Sequence, residues 1–295
     1  MMSAKQADRL ATAGLYAVAG VILALLAGLL GYVFVKGFPM LSWQFITSPP
    51  QIFKGGGGVG PQLFNSFYLL VLTLVFSLPV ALGAGIYLAE YAKDNWLTRS
   101  IRISVEVLSS LPSIVVGLFG FLFFVIYMGW GFSIISGALA LSVFNLPLLV
   151  RVVEQSIQSV PRTQREAGWA LGFSKWETIT NIVLPAALPG LITGIILAAG
   201  RVFGEAAALI YTAGMSTPAL DFTDWNPLSP VSPLNPFRPA ETMAVHIWKI
   251  NGEGIMPDAS AISDGAAALL ILSILLFNLS ARFVGRFVFK KMSAS

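Results

Sequence analysis

The chain has 295 residues, 56% of them hydrophobic and only 11% charged, with a net charge of +4. A soluble domain carries roughly 25% charged residues, so this composition excludes a soluble globular protein and places the chain in a membrane. With no cysteine and one histidine, His246, the chain also excludes a disulfide framework, thiol chemistry and a metal centre built from Cys or His.

A bilayer-crossing helix needs about 20 mostly apolar residues. Six stretches qualify, at 10–35, 63–89, 105–128, 132–150, 186–211 and 262–281. The expected fold is all-α, a polytopic membrane protein with six transmembrane helices. Lys5 and Arg9 precede the first stretch, as in a signal peptide. Its apolar run is too long for such a peptide and no small-residue cleavage site follows, so it reads as a helix.

The segment Lys54-Gly-Gly-Gly-Gly-Val-Gly60 leads into the second stretch. Glycine-rich loops cradle phosphates, but a Walker A loop ends in Gly-Lys-Ser/Thr and this one runs on as Pro61-Gln62. It reads as a flexible turn. No other segment offers the motif, so ATP hydrolysis is not expected of this chain. Within the second to fourth stretches lie Asn65, Ser66, Ser109, Ser110, Pro112, Ser113, Asn145 and Pro147. These read as interhelical hydrogen bonds or kinks.

A polar segment separates the fourth and fifth stretches. It contains Glu166-Ala167-Gly168, three residues, Gly172, nine residues, Ile182, one residue, then Leu184-Pro185. Ala167 and Gly168 allow another surface to approach closely. Gly172 suits a positive-φ turn that ends a helix, and Pro185 suits the start of the next.

The fifth stretch holds Arg201 and Glu205, the charged residues placed firmly inside a span. An arginine at a bilayer centre costs about 2.5–3.5 kcal/mol on insertion scales, so such residues face a bundle interior or a water-filled path. Spacing of i,i+4 puts the two on one helical face, close enough to pair. Gly190, Gly194 and Ala208 share that face, and Ile195, Ile196, Phe203 and Ala206 lie opposite as a mostly bulky, lipid-like side. Gly190-x-x-x-Gly194 and Gly200-x-x-x-Gly204 permit close helix packing. Arginine's planar fork binds phosphate or carboxylate, so an anion path and a buried structural ion pair are both open readings.

The segment 212–261 is rich in proline, from Pro218 to Pro257, with Trp225, Phe237 and Trp248 suited to a membrane interface. Order and disorder are both open there. Glu241 to Ile250 fits one short helix, carrying His246 as an ordinary, satisfied histidine.

Basic residues fix the orientation. With the N-terminus inside, the cytoplasmic segments hold Lys5, Arg9, Lys93, Arg99, Arg102, Arg151, Arg162, Arg165, Lys175, Arg282, Arg286, Lys290 and Lys291. The external segments hold only Lys36, Lys54, Arg238 and Lys249. Positive residues accumulate on the cytoplasmic side, so both termini are expected inside. The positive charge thus follows topology and needs no nucleic acid to explain it.

The Glu166–Pro185 pattern resembles the EAA loop of ABC-importer permeases at every anchor except the third, where Gly168 replaces Ala. Gly200-Arg-Val-Phe-Gly-Glu-Ala-Ala-Ala-Leu-Ile-Tyr-Thr-Ala-Gly214 and Leu111-Pro-Ser-Ile-Val-Val-Gly-Leu-Phe-Gly120 resemble phosphate-importer permeases, nearer the PstA type than the PstC type. The resemblance covers residues 60 to 290. It implies a type I ABC importer (MetI-like) bundle at 62–285, following an N-terminal helix and external loop at 1–61 and preceding a cytoplasmic tail at 286–295. It implies that Glu166, Ala167, Gly168, Gly172, Ile182, Leu184 and Pro185 couple the chain to an ATPase, and that Arg201, with Glu205 beside it, lines the path. The implied partners are a PstC-type second permease subunit, two copies of an ATPase subunit, an extracytoplasmic phosphate-binding protein, phosphate and membrane lipid, with no cofactor. A permease for sulfate or molybdate and an ion-driven secondary transporter are the alternative readings.

Overall fold

The computed structural model describes residues 3–51, 56–253 and 258–293. Lys54, Gly55 and Pro257 lie outside the described residues. Twelve α-helices follow one another and no strand occurs among the described residues. Helix α1 (Ala4–Gly37) starts at a capping box between Ser3 and Gln6. Its C-terminal end packs on α12 (Ala259–Ser293), where a Cβ on Gly37 would lie 2.2 Å from the Asp264 carbonyl oxygen.

Short α2 (Trp43–Thr47) precedes α3 (Gly60–Ile86), which a π turn extends to Tyr91. Gly57, Gly58 and Gly60 form a packed turn in place of the flexible one expected. Gly58 N–H donates to Pro49 O and Gly60 N–H to Ser48 O. A Cβ on Gly58 or Gly60 would meet backbone oxygens of Phe45, Thr47 or Ser48 at 2.5–2.6 Å. These amides serve the turn itself and are not free to hold a phosphate.

Among the described residues five helices are long and apolar enough to cross a membrane, and a bent pair, counted as one span, makes six. That pair corrects the expected single span at 105–128. Helix α4 (Trp96–Ser109) and α5 (Ser113–Gly120, continued by a π segment to Tyr127) meet at 98°. Pro112 supplies no N–H and pushes Leu111 out of the helical region, so the chain turns there. The Ser109 and Ser110 hydroxyls turn back on the Glu106 and Val107 carbonyls, both at 2.7 Å.

Helix α6 (Ile134–Gln158) runs down the middle of the bundle, against α3 on one side and α9 (Leu184–Gly204) on the other. Between them lie α7 (Arg162–Ala170) and α8 (Lys175–Thr178). A π turn, Ile179–Val183, joins α8 to α9 as one 30-residue span. Pro185 sits in the first turn of α9, as expected of a residue that suits a helix start, although the π turn runs into that helix without a break. The widened backbone there accommodates a residue without an N–H.

Gly190 and Gly194 seat α9 on α6. A Cβ would lie 2.7 Å from the Ser156 hydroxyl in the first case and 1.9 Å from a Val152 methyl in the second. At Gly200 and Gly204 a Cβ would meet nothing within 4 Å, so of the two glycine pairs only the first packs among the described residues. The expected lipid-like side of α9 is corrected too. Phe203 is 2% and Ile196 4% exposed. Phe203 stacks edge-on to Phe67 of α3 at 4.7 Å and packs on Phe277 of α12 at 6.4 Å. Helix α9 is central, flanked on both sides. Apolar side chains serve a protein interior and a lipid face equally well, so a helical wheel does not tell them apart.

Candidate functional site

Helix α9 ends at Gly204, short of the expected span end at 211. Glu205 has extended backbone (ψ 125°), and α10 (Ala207–Thr212) begins anew. The i,i+4 geometry between Arg201 and Glu205 is therefore lost, and the expected pair does not form among the ion pairs of the described residues. The Glu205 carboxylate instead accepts the Ala208 N–H at 3.1 Å, capping α10.

Arg201 lies on the face that carries Gly190 and Gly194, and so points to α6. Its guanidinium carbon sits 3.7 Å from the centroid of the Phe144 ring. Phe144 is 4% exposed. The ring holds the cation by its π face and takes none of its N–H groups. Among the described residues no side-chain hydrogen bond or ion pair engages Arg201, and the residue is half-buried. Thr193, Leu197 and Gly204 form an exposed stripe on the neighbouring face of α9. Arg201 thus offers its donor fork at the edge of an open helix face. The sequence reading missed Phe144, which lies 57 positions away on another helix.

The loop between α6 and α9 folds as helix, turn, helix. Gly172 has φ +83°. Phe173 N–H donates to Gly168 O at 3.1 Å and Gly172 N–H to Trp169 O at 3.0 Å, closing α7 with a Schellman motif. A capping box opens α8: Ser174 N–H donates to Glu177 Oε2 at 2.8 Å, and the Ser174 hydroxyl accepts the Glu177 N–H at 3.3 Å. Gly168 is buried against α8, where a Cβ would lie 2.8 Å from Ile182 Cδ1 and 2.9 Å from Thr178 Cγ2. Glycine here closes the hairpin on itself. Glu166, Ala167, Trp169, Leu171 and Trp176 stay exposed on the outer face. Leu184 is half-buried against the core formed by Val153, Val160 and Val183.

At the other end of α3 a buried polar cluster orders the proline-rich segment. Gln62 Nε2 donates to Glu241 Oε2 at 2.9 Å, and Asn65 Nδ2 donates to the Glu241 carbonyl at 2.9 Å. Arg238 Nη2 donates to Asn65 Oδ1 at 2.8 Å and to Pro233 O at 2.9 Å. His246, on α11 (Met243–Glu253), brings Nδ1 within 3.1 Å of Glu241 Oε1, and Lys249 Nζ lies 3.6 Å from the same oxygen. Burial raises the Glu241 carboxyl, but His246, Gln62 and Lys249 outweigh it and hold the group below the usual carboxylate range. Burial pulls the Arg238 guanidinium down to about 10. His246 is therefore a buried member of a charged cluster that holds Arg238 and Glu241 against α3. Residues 62 and 241 are 179 positions apart, so no local pattern announces the cluster.

Residues 81–294 match the model of the family described as binding-protein-dependent transport system inner membrane component. The chain belongs to that family. It is 53% identical over 294 residues, all of both chains, to the probable ABC transporter permease protein YqgI of Bacillus subtilis (strain 168). It is 34% identical over 258 residues to the phosphate transport system permease protein PstA 2 of Mycobacterium bovis, covering 86% of this chain and 78% of that one. In fold it is similar to a chain of a bacterial alginate ABC transporter crystallised with its alginate-bound periplasmic protein. That match has TM-score 0.62 at 16% identity and covers 97% of this chain and 96% of the other. The bundle is that of a type I ABC importer permease.

Proposed function

We propose that this chain is a permease subunit of an ATP-driven importer for inorganic phosphate. The observation that carries the reading is Arg201: a cation in a membrane helix, held by a ring face with its donor fork unspent. Such a fork binds phosphate and other oxyanions bidentately, and it is the similarity to PstA-type permeases that supports phosphate as the substrate. Helix α9 lines the path, and its open stripe at Thr193, Leu197, Gly200 and Gly204 faces a PstC-type second subunit. One of two ATPase copies docks on the outer face of the α7–α8 loop, which continues directly into the helix carrying Arg201. An extracytoplasmic phosphate-binding protein delivers the anion from the opposite side. Deleting this subunit is expected to abolish high-affinity uptake of labelled phosphate and to leave sulfate and molybdate uptake intact. Unchanged phosphate uptake, or loss of sulfate or molybdate uptake instead, overturns the assignment.

Both termini lie in the cytoplasm in this reading, because thirteen basic residues sit on the α7 side and four on the other. The chain has no native cysteine, so single cysteines report without background. In intact cells, Leu228→Cys is expected to react with a membrane-impermeant maleimide and Asp94→Cys to react only after the membrane is opened. Both positions are exposed. The reverse pattern inverts the orientation and removes the ATPase from reach of α7.

A further inference from the structure

We infer that Arg165 and Glu90 form a joint through which the cytoplasmic loop moves α3, and that α3 carries that motion to the external segment held by Asn65 and Gln62. The inference rests on the coupling role proposed above and adds a second line of transmission to it.

The first line is plain in the chain path: α8 runs through its π turn into α9. Helix α3 has no such covalent link to the loop. It is linked by side chains at the π turn that ends it, Tyr87–Tyr91. Arg165 of α7 donates from Nε and Nη2 to Glu90 Oε1 at 2.9 and 2.8 Å. The same guanidinium donates from Nη2 to Ile157 O at 2.8 Å and from Nη1 to Val160 O. One side chain thus ties α7, the end of α6 and the end of α3. Lys175, the first residue of α8, donates to the Glu90 carbonyl and lies 4.5 Å over the Tyr91 ring. Both arms of the helical hairpin grip one π turn.

Two features separate this joint from an ordinary surface ion pair, which contributes little. The Arg165 and Glu90 side chains are 13% and 10% exposed, and the guanidinium spends its donors on three acceptors in fixed directions. The loop is also two-sided. The side chains of Glu166, Ala167 and Trp169 face outward with no hydrogen bond or ion pair among the described residues, while Arg165 faces the bundle. Docking and transmission therefore belong to different residues of one short helix.

The far end of α3 completes the device. Glu90 and Gln62 are roughly 42 Å apart along the helix at 1.5 Å per residue. At Gln62 and Asn65 the helix holds Glu241 and Arg238 through buried bonds of 2.8–2.9 Å. One helix thus joins the loop on which the ATPase acts to the segment that faces the incoming substrate. With the joint broken, the ATPase still moves α9, but α3 and the external segment no longer follow.

The test uses the complete transporter, with its ATPase and binding protein, in proteoliposomes. The reading is phosphate imported per ATP hydrolysed, alongside ATPase retained on purification. Glu90→Gln and Arg165→Gln are each expected to lower the ratio at least tenfold with ATPase retention unchanged. The double variant is expected to be no worse than either single, because the two side chains act through each other. Asn65→Ala, at the other end of α3, is expected to lower the same ratio. Unchanged ratios in the Glu90 and Arg165 variants overturn the joint, as does a loss of assembled complex that accounts for all the lost uptake. An unchanged ratio in Asn65→Ala overturns the role of α3 as the carrier. The unsubstituted transporter separates this inference from the one beneath it: if it hydrolyses ATP without importing phosphate, the phosphate reading fails with it.

Discussion

Arg201→Gln is expected to reduce phosphate import, normalised to assembled complex, by about a hundredfold or more. Each hydrogen bond to a charged group is worth about 1.5–3 kcal/mol, so a lost bidentate pair removes roughly 3–6 kcal/mol, and every 1.4 kcal/mol is tenfold. Glutamine keeps much of the length of arginine but neither the charge nor the fork. Assembly is expected to change little. Among the described residues Arg201 has no ion partner to strand, and its contact with Phe144 is worth about 0.5–2 kcal/mol.

Glu205→Gln now carries a different expectation from the one a helical wheel gives. The carboxylate caps α10 through the Ala208 N–H and does not hold Arg201. A glutamine side-chain oxygen accepts the same bond, so import is expected to stay within a fewfold of normal. A structural ion pair would give the opposite pattern, with both variants losing assembled complex about equally. Uptake of labelled phosphate, divided by complex recovered, decides between them. Normal import by Arg201→Gln removes the arginine from the transport mechanism.

What the sequence disclosed and what it withheld follow one rule. Features written in consecutive residues were legible. The hairpin ends at Gly172 because that position needs a positive φ, and the sequence shows glycine there. The spans were legible because length and hydropathy alone define them. Pro112 marked a kink, but the 98° angle it produces depends on what α4 and α5 pack against. Nothing local marks the break after Gly204. Glycine is tolerated in membrane helices, and the extended backbone at Glu205 is held by a cap on the following helix. Phe144 beneath Arg201, Glu90 beneath Arg165 and the Gln62–Glu241 cluster each join residues from distant helices. A periodicity argument places a side chain on a face, and only the fold says what that face meets. The same limit explains Phe203, where a wheel read lipid and the bundle supplied Phe67 and Phe277.

Gly172→Val is expected to leave the chain inserted at normal levels while import falls at least tenfold and less ATPase co-purifies. A Cβ at Gly172 would meet nothing within 4 Å, so crowding is not the cause. The cost is in the backbone. A left-handed residue costs roughly 1–2 kcal/mol with any Cβ, and a β-branched side chain raises it further. That energy is released only by opening the turn, which breaks the bonds from Phe173 and Gly172 back to α7 and shifts α7 against α8. Gly168 makes the hairpin intolerant of that shift, since Thr178 and Ile182 already close on it. A second substitution isolates docking from hairpin shape. Glu166 is exposed and makes no side-chain bond among the described residues, so Glu166→Lys leaves the hairpin intact and reverses one charge on its outer face. It is expected to cost ATPase retention and import together, without any loss of the permease itself. Full uptake by Gly172→Val with a normal complement of ATPase would show that the hairpin's shape carries no coupling, and the same result for Glu166→Lys would move the docking surface elsewhere.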